Sequence, residues 1–385
     1  MFRRTIYSSD HDIFRDSVDR FIAEQVAPHH AQWEKEGQVS RELWLAAGAH
    51  GLLCATIPEE YGGAGVDFLY AAVIQEQMSW HNYSGPGFAV HSDIVAPYLL
   101  HYGSDALKAE WLPRMARGEA IGAIGMTEPA AGSDVKEIRT SAVRDGDDYV
   151  INGQTVFITN GQICDFIVLA AKTDPAAGAR GVSLILVEAD RPGFRKGRNL
   201  EKVGYKAQDT SELFFQDVRV PATNLIGVEG RGFAQLMDQL PQERLLQAIR
   251  STSSIEAALE WTLDYTRERK AFGRSVADFQ NTRFRLAEIK SRATMLRVFL
   301  DRCLEMHVAG ELSDIDAAMA KMLASEIQSE VLDTCLQLHG GYGYMWEYPI
   351  ARAWADARMM RIAGGAGEIM RELIGRDLVA RRRTA

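Results

Sequence analysis

The chain has few cysteines, no long apolar run and no excess of basic residues. Its four cysteines, Cys54, Cys164, Cys303 and Cys335, lie far apart and form no C-x-x-C pair. This spacing suits neither a zinc site nor a small disulfide-stabilised fold, so we interpret them as buried thiols in a reducing compartment. No apolar run approaches the roughly 20 residues needed to span a bilayer, and we therefore expect no membrane insertion.

Charge and the N-terminal residues narrow the class of protein further. The net charge of −9 argues against a nucleic-acid partner. The first residues, MFRR, are followed by polar positions rather than by the apolar core of a secretory signal. We therefore expect a soluble, cytoplasmic protein. With 385 residues, 46% of them hydrophobic and 25% charged, the chain can form two or three globular units.

The period of the apolar residues changes twice along the chain. In residues 12–26 apolar side chains recur every three or four positions, which predicts an amphipathic helix that Pro28 ends. Further helices are predicted at 41–50, 68–80 and 93–101. From about residue 120 to residue 230 the pattern becomes strand-like, with an Asp-Gly hairpin signal at 145–146. Several short strands separated by turns suggest a small antiparallel barrel or sandwich.

After residue 230 the pattern is helical again. Long helices are predicted at 232–269, 278–309, 313–339 and 349–380, and four helices of this length indicate a four-helix bundle. The expected fold is therefore α+β, with an N-terminal helical domain (1–120), a middle small antiparallel β-barrel (121–230) and a C-terminal four-helix bundle (231–385).

Two segments of the middle region have the composition of a ligand site. Residues 126–134 read MTEPAAGSD, in which small residues allow a flat ligand to approach and Thr127 and Ser133 add hydroxyl groups. Taken alone, this segment could equally be an ordinary polar turn. Residues 152–161 read NGQTVFITNG, in which Phe157 and Thr159 could pack beside an aromatic ring system.

Together these segments resemble the middle domain of the acyl-CoA dehydrogenases, which carry T-E-P-x-A-G-S-D followed by a W-I-T-N-G-type strand. Phe157 stands where the family usually has tryptophan. Residues 267–273, RERKAFG, resemble the family's R-K-A-F-G motif, and 337–344, QLHGGYGY, its glycine-rich turn. The alternative interpretation of residues 267–273 is a solvated basic face. The alternative interpretation of the glycine-rich turn is a helix C-cap. The resemblance covers essentially residues 10–380.

The resemblance implies a cofactor, a substrate and partners. The cofactor would be FAD, held between subunits of a homotetramer, the substrate an acyl-CoA, and the electron acceptor an electron-transfer flavoprotein. By resemblance, the cofactor-binding residues are Met126, Thr127, Gly132, Ser133, Phe157, Ile158, Thr159, Arg269, Phe272, Phe279, Gln280, Gln337, Leu338, Gly340, Gly341, Ala366 and Glu368. The residues that would contact the substrate are Ser133, Arg244 and Gly365.

The position of the catalytic base decides whether the chain is an enzyme. Many members of the family carry a catalytic glutamate in the late segment, where this chain has Gly364. Upstream, residues 240–246 read LPQERLL and look like the long-chain branch, which places its base at the position of Glu243, as the isovaleryl-CoA branch also does. A glutamate beside an arginine on a helix is more often a surface residue, and Glu368 is the rival carboxylate. We predict that Glu243 is the base and that the backbone N–H of Gly364 holds the thioester carbonyl.

The late segment departs from the family elsewhere as well. Ala363 replaces a common tyrosine, Ala366 a threonine that contacts FAD, and Gly367 a serine or asparagine. The bulk lost at Ala363, together with the side chain missing at Gly364, suggests a pocket for a medium, long or branched acyl group. The expected activity is α,β-desaturation to a trans-2-enoyl-CoA. The alternatives are an acyl-CoA oxidase of the same fold and a non-catalytic structural subunit of a hetero-oligomeric dehydrogenase.

Overall fold

The computed structural model describes residues 4–381, and the first three and last four residues of the sequence, with most of the basic run at 381–383, lie outside it. The N-terminal third is helical and includes two π-helical turns, Ile22–Val26 and Val90–Val95. The α-helices of this region are α1 (Ser9–Phe21), α2 (Ala27–Glu36), α3 (Arg41–Ala49), α4 (Phe68–Trp80), α5 (Ala96–Tyr102) and α6 (Asp105–Ala116). The prediction that Pro28 ends the first helix is wrong. Pro28 lies in the first turn of α2, where a missing N–H is tolerated.

The middle third forms one eight-stranded sheet with the order β6-β7-β3-β2-β4-β5-β8, and β1 pairs with β4 outside this path. Its strands are β1 (Gly122–Gly125), β2 (Ser141–Asp145), β3 (Asp148–Thr159), β4 (Phe166–Lys172), β5 (Val182–Glu188), β6 (Phe194–Asn199), β7 (Thr210–Pro221) and β8 (Leu225–Ile226). Most pairs are antiparallel, as predicted, but β1 and β2 both run parallel to β4. The sheet is therefore mixed, because it contains both antiparallel pairs and the two parallel pairs of β4.

The C-terminal third consists of long helices, with a short hairpin of β9 (Lys270–Ala271) and β10 (Arg274–Ser275). Its helices are α7 (Gly232–Glu268), α8 (Gln280–Val308), α9 (Asp314–His339), α10 (Pro349–Met360) and α11 (Gly367–Arg381). The single helix predicted for residues 349–380 is wrong, because the glycine-rich segment after Met360 separates α10 from α11. Gly364 and Gly365 there have φ values of 66° and 95°, in the left-handed region that favours glycine.

One continuous hydrophobic core joins the first and last thirds of the chain. It contains fully buried residues from both, such as Leu99 and Leu112 on one side and Ile249 and Leu332 on the other. The sheet has a separate core between its own strands. A buried ion cluster also ties α4 to the C-terminal helices, since Arg297 on α8 donates to Glu76 on α4 at 2.8 Å. Within residues 4–381 no helix is long and apolar enough to cross a membrane.

Candidate active site

Glu243 is a buried carboxylate in the first half of α7. Its residue surface is only 7% exposed. Burial raises the pKa of the Glu243 carboxyl to about 7, and a hydrogen bond from Tyr98 and the positive charge of Arg244 oppose this rise. The Tyr98 hydroxyl donates to Glu243 Oε1 over 3.0 Å. Glu243 is therefore not a surface residue, and its pKa suits a group that accepts a proton near neutral pH.

Neighbouring contacts hold this part of α7 against the N-terminal helices. Tyr98 is fully buried on α5. Gln242 Nε2 donates to the backbone carbonyl of Asp93 over 2.6 Å, and Asp93 lies in the π-helical turn that precedes α5. Since the hydrogen bonds of Gln242 and of Tyr98 both join this turn and α5 to α7, they fix the position of the Glu243 backbone and carboxylate together.

Arg244 is buried as well, with 4% of its surface exposed. Its Nη1 lies 3.4 Å from Asp314 Oδ1, and its Nε has no hydrogen-bond partner within the described part of the chain. Burial lowers the pKa of the Arg244 guanidinium. A buried N–H donor without a partner is costly, so Arg244 has an unused donor beside the proposed base.

The glycine turn between α10 and α11 lies against the same face of α7. A Cβ atom built on Gly364 would stand 3.1 Å from Gln247 Cγ, and Gln247 follows Glu243 by one helical turn. Among the described residues, the N–H of Gly364 donates to no protein group. The turn therefore leaves a free backbone donor near the α7 face that carries Glu243.

A side chain at position 364 would be doubly disfavoured. It would need the left-handed backbone at φ 66°, and it would press on Gln247. Gln247 therefore fills the space that the missing side chain of Gly364 was expected to leave to the substrate. Gln247 Oε1 is itself buried without a partner in residues 4–381.

Glu368, the rival carboxylate, lies in a different environment from Glu243. Glu368 is exposed in the first turn of α11, whereas Glu243 is buried. Ala366 and Gly365 are half-buried in the turn itself. The Gly365 carbonyl accepts a 2.5 Å hydrogen bond from Lys321 Nζ on α9. The late segment therefore meets the site through its backbone.

The middle-domain residues predicted to bind the cofactor lie on β3 and on the adjoining segment 126–134. The register of β3 against β7 shifts between Thr155 and Ile158, and Phe157 within this irregularity has φ 63° and is 67% exposed. Val156 N–H donates to Thr127 O over 2.9 Å, which joins the strand to segment 126–134. In that segment Met126 and Thr127 are half-buried, Gly132 and Ser133 are exposed, and on β3 Ile158 is buried and Thr159 half-buried.

The C-terminal residues predicted to bind the cofactor lie at a second place. An open pocket of about 500 Å³ is lined by Tyr265, Arg269, Val276, Gln337, Leu338, His339, Gly340, Gly341, Tyr342 and Met345. Added Cβ atoms on Gly340 and Gly341 would meet open space. Phe272 is 96% exposed on the adjoining hairpin, and Phe279 and Gln280 follow it. No middle-domain residue lines this pocket, so the two groups of predicted residues do not share it.

Sequence reasoning missed Tyr98, Gln247, Lys321 and Asp93. Asp93 is a second buried acid, and burial raises its pKa to about 7. Burial and the charge of Asp93 raise the pKa of the Cys54 thiol. A polar residue inside an apolar helical pattern was the available signal for Asp93 and for Lys321. Nothing in the sequence shows which way the Tyr98 and Gln247 side chains point.

Comparison with known proteins agrees with this architecture over nearly the whole chain. Domain models described as the N-terminal, middle and C-terminal domains of acyl-CoA dehydrogenase match residues 8–119, 123–218 and 230–379. The mitochondrial long-chain specific acyl-CoA dehydrogenase of Sus scrofa is 52% identical, over 98% of this chain and 88% of its own length.

Solved structures give the same answer. An acyl-CoA dehydrogenase from Geobacillus kaustophilus matches with a TM-score of 0.96 and 46% identity, over 98% of this chain and all of that one. A structure described as the electron transferring flavoprotein of Acidaminococcus fermentans matches at 0.93 and 34%, over 97% and 98% of the two chains. A glutaryl-CoA dehydrogenase from Mycobacterium smegmatis in complex with FADH2 matches at 0.91 and 26%, over 97% and 96%. The chain belongs to the acyl-CoA dehydrogenase family and is an oxidoreductase.

Proposed function

We propose that the protein is an FAD-dependent dehydrogenase that converts a medium, long or branched acyl-CoA to its trans-2-enoyl-CoA, with Glu243 as the base. The observation that carries this proposal is the buried Glu243 carboxyl, with a pKa raised to about 7, on the α7 face that meets the Gly364 turn. A carboxylate and a free N–H donor near each other are what proton removal beside a thioester carbonyl requires.

The exposed groups of the two cofactor surfaces fit FAD. Phe157 offers an aromatic face on the sheet, and Thr127, Ser133 and Thr159 offer hydroxyl groups. In the second place, Arg269 offers a guanidinium suited to a pyrophosphate, and Gly340 and Gly341 let a ligand approach the backbone. The chemistry that FAD supplies when bound is acceptance of the hydride that leaves the β-carbon of the substrate.

The protein residues would orient the thioester and move one proton. The Gly364 N–H donates to the thioester carbonyl oxygen and stabilises the negative charge that develops there. The Glu243 carboxylate takes the proton from the α-carbon and becomes a neutral acid, which its burial favours. Tyr98 keeps the carboxylate in place and limits the rise of its pKa through its 3.0 Å hydrogen bond.

The length of the acyl group rests mainly on similarity to the long-chain enzyme. The loss of the tyrosine ring at Ala363 remains a reason for a wider pocket, but Gly364 does not, because Gln247 lies beside it. An electron-transfer flavoprotein as acceptor and a homotetramer with FAD between subunits follow from the family. The separation of the two cofactor surfaces in one chain supports the second of these. The cytoplasmic location stays a prediction, and the named long-chain relative is mitochondrial.

A panel of acyl-CoAs of graded length tests the proposed activity. We expect anaerobic bleaching of the bound flavin, with kcat/KM rising with chain length beyond butyryl-CoA, since each buried methylene adds about 0.8 kcal/mol. A clear optimum at four carbons would contradict the predicted length. Hydrogen peroxide formed in air without an added acceptor would identify the oxidase alternative instead.

Cofactor binding is tested by Arg269→Ala, with Arg267→Ala as the control. Both arginines are exposed on the same segment, but only Arg269 lines the pocket. The parent should purify yellow as a tetramer, and Arg269→Ala should lose FAD and assembly together because a shared contact stabilises both. Flavin absorbance and light scattering after size-exclusion chromatography measure the two quantities. FAD loss from an unchanged assembly would contradict the shared site.

Glu243→Gln tests the base. The variant keeps the size of the side chain but cannot accept the proton, so flavin reduction should slow by roughly 10²–10⁴-fold. FAD content and acyl-CoA binding should stay near those of the parent. Because burial raises the Glu243 pKa, its ionised form lowers stability as pH rises from about 4.5 to about 7, and the neutral variant should be at least as stable above that range.

Two further variants serve as comparisons for Glu243→Gln. Glu368→Gln, at the rival carboxylate, should slow flavin reduction far less. Glu260→Gln, at an exposed position of the same helix, should leave the rate unchanged. Stopped-flow reduction at a pH where proton removal limits the rate is the measurement. A rate for Glu243→Gln within threefold of the parent would remove Glu243 from its proposed role.

Tyr98→Phe tests the tuning of the base. The rate should rise with pH as Glu243 loses its proton near pH 7. Removing the hydroxyl removes a hydrogen bond that favours the carboxylate, so the pKa should rise and the acid limb should move about one to two pH units upward. Tyr102→Phe, one turn later on the same helix and bonded to Asp238, is the control. An acid limb that stays in place in Tyr98→Phe would show that this hydrogen bond does not tune the base.

A further inference from the structure

The glycine turn that carries the Gly364 N–H has no side chain of its own to hold it. Residues 363–367 read AGGAG. At its ends, Ala363 N–H donates to Met359 O over 3.0 Å and Gly367 N–H to Arg361 O over 3.2 Å. Between these bonds lie Gly364 and Gly365, both in the left-handed region. Since glycine has the widest backbone freedom, the shape of this turn depends on contacts from other elements.

Lys321 supplies that contact. Its ammonium donates to the Gly365 carbonyl over 2.5 Å, and within the described part of the chain it is the only side chain that hydrogen-bonds to the backbone of 363–367. Lys321 is fully buried on α9. Neighbouring positions on that helix are alanines, Ala317, Ala318, Ala320 and Ala324, which leave room for the long side chain.

The surroundings of Lys321 do not favour a positive charge. The charged groups that act on it are Arg244 from α7, Glu326 from its own helix and Glu368 from α11. Burial and the Arg244 charge lower the pKa of the Lys321 ammonium to about 8. Because the folded-state pKa lies below the ordinary value, the charged form costs stability below about pH 8, and this cost is relieved as pH rises. A buried cation of this kind is retained at the expense of stability.

We propose that Lys321 is a positioning residue: by holding the Gly365 carbonyl, it fixes the Gly364 N–H in the orientation that binds the thioester carbonyl of the substrate. This inference rests on the proposed function, and it assigns to α9 a part in the reaction. Lys321 touches neither the reacting carbons nor the base. It acts through the backbone of the turn.

Lys321→Met tests the proposal because it keeps most of the apolar stem and removes the ammonium. We expect kcat to fall about 10- to 100-fold, since a displacement near 1 Å can cost about 10²-fold, while KM stays within about threefold. FAD content should be unchanged, and the midpoint of thermal unfolding should equal or exceed that of the parent. Lys290→Met, at an exposed lysine of α8, should change none of these quantities.

A second measurement reads the turn directly, without turnover. An acyl-CoA analogue with sulfur in place of the β-carbon cannot lose a hydride, and a ¹³C label on its thioester carbonyl isolates that vibration in the infrared spectrum. Bound to the parent, the carbonyl stretch should lie below that of the free ligand because it accepts hydrogen bonds. In Lys321→Met it should return toward the free value. Lys321→Gln keeps an N–H donor and should give an intermediate shift.

The outcomes separate this inference from the function on which it rests. If the parent does not dehydrogenate any acyl-CoA, the proposed function is wrong. If the parent is active and Lys321→Met keeps its kcat and its carbonyl frequency, only the role of Lys321 is wrong, whatever its thermal stability. Should Lys321→Met fail to fold, the same two readouts on Lys321→Leu, which also removes the donor, decide, and parent-like values in that variant would overturn the proposal.

Discussion

Burial of the Glu243 carboxylate is the constraint on which the candidate site depends. An ionised carboxylate in an apolar core is unstable unless hydrogen bonds or charges favour it, so the raised pKa and the contacts from Tyr98 and Arg244 belong together. These contacts come from α5 and α7, which one continuous core joins. The packing of the first third of the chain against the last therefore sets both the position of the proposed base and the pH at which it can accept a proton.

The same packing is consistent with a late segment that carries no carboxylate at residue 364. Gly364 has a left-handed backbone and lies against Gln247, so this turn suits a backbone donor and disfavours a side chain. A base on the long helix α7 is held by a regular hydrogen-bond ladder, whereas a base on the turn would share the freedom of its glycines. In the proposed reaction the two tasks are divided between the helix α7 and a turn whose Gly365 carbonyl is bonded to Lys321.

Much of the fold could be predicted from periodicity, because α4 and the long helices of the last third bury broad apolar faces. The errors lie where local signals mislead. Pro28 was interpreted as a helix end although the first turn of a helix accepts proline. The break after Met360 was missed because an Ala- and Gly-rich segment does not interrupt an apolar pattern strongly. The parallel pairing of β1 with β4 depends on tertiary contacts that no short segment encodes.

Prediction of the site from the sequence was limited by the same dependence on tertiary contacts. Motifs could nominate Glu243, since a carboxylate was missing at Gly364, but its burial and its bond to Tyr98 depend on residues 145 positions apart in sequence. Phe157 is exposed and the pocket near Gly340 is open, so a single chain covers neither place. No middle-domain residue lines the pocket near Gly340. An FAD shared between two copies of the chain would cover both places, and this geometry supports the assembly that we propose.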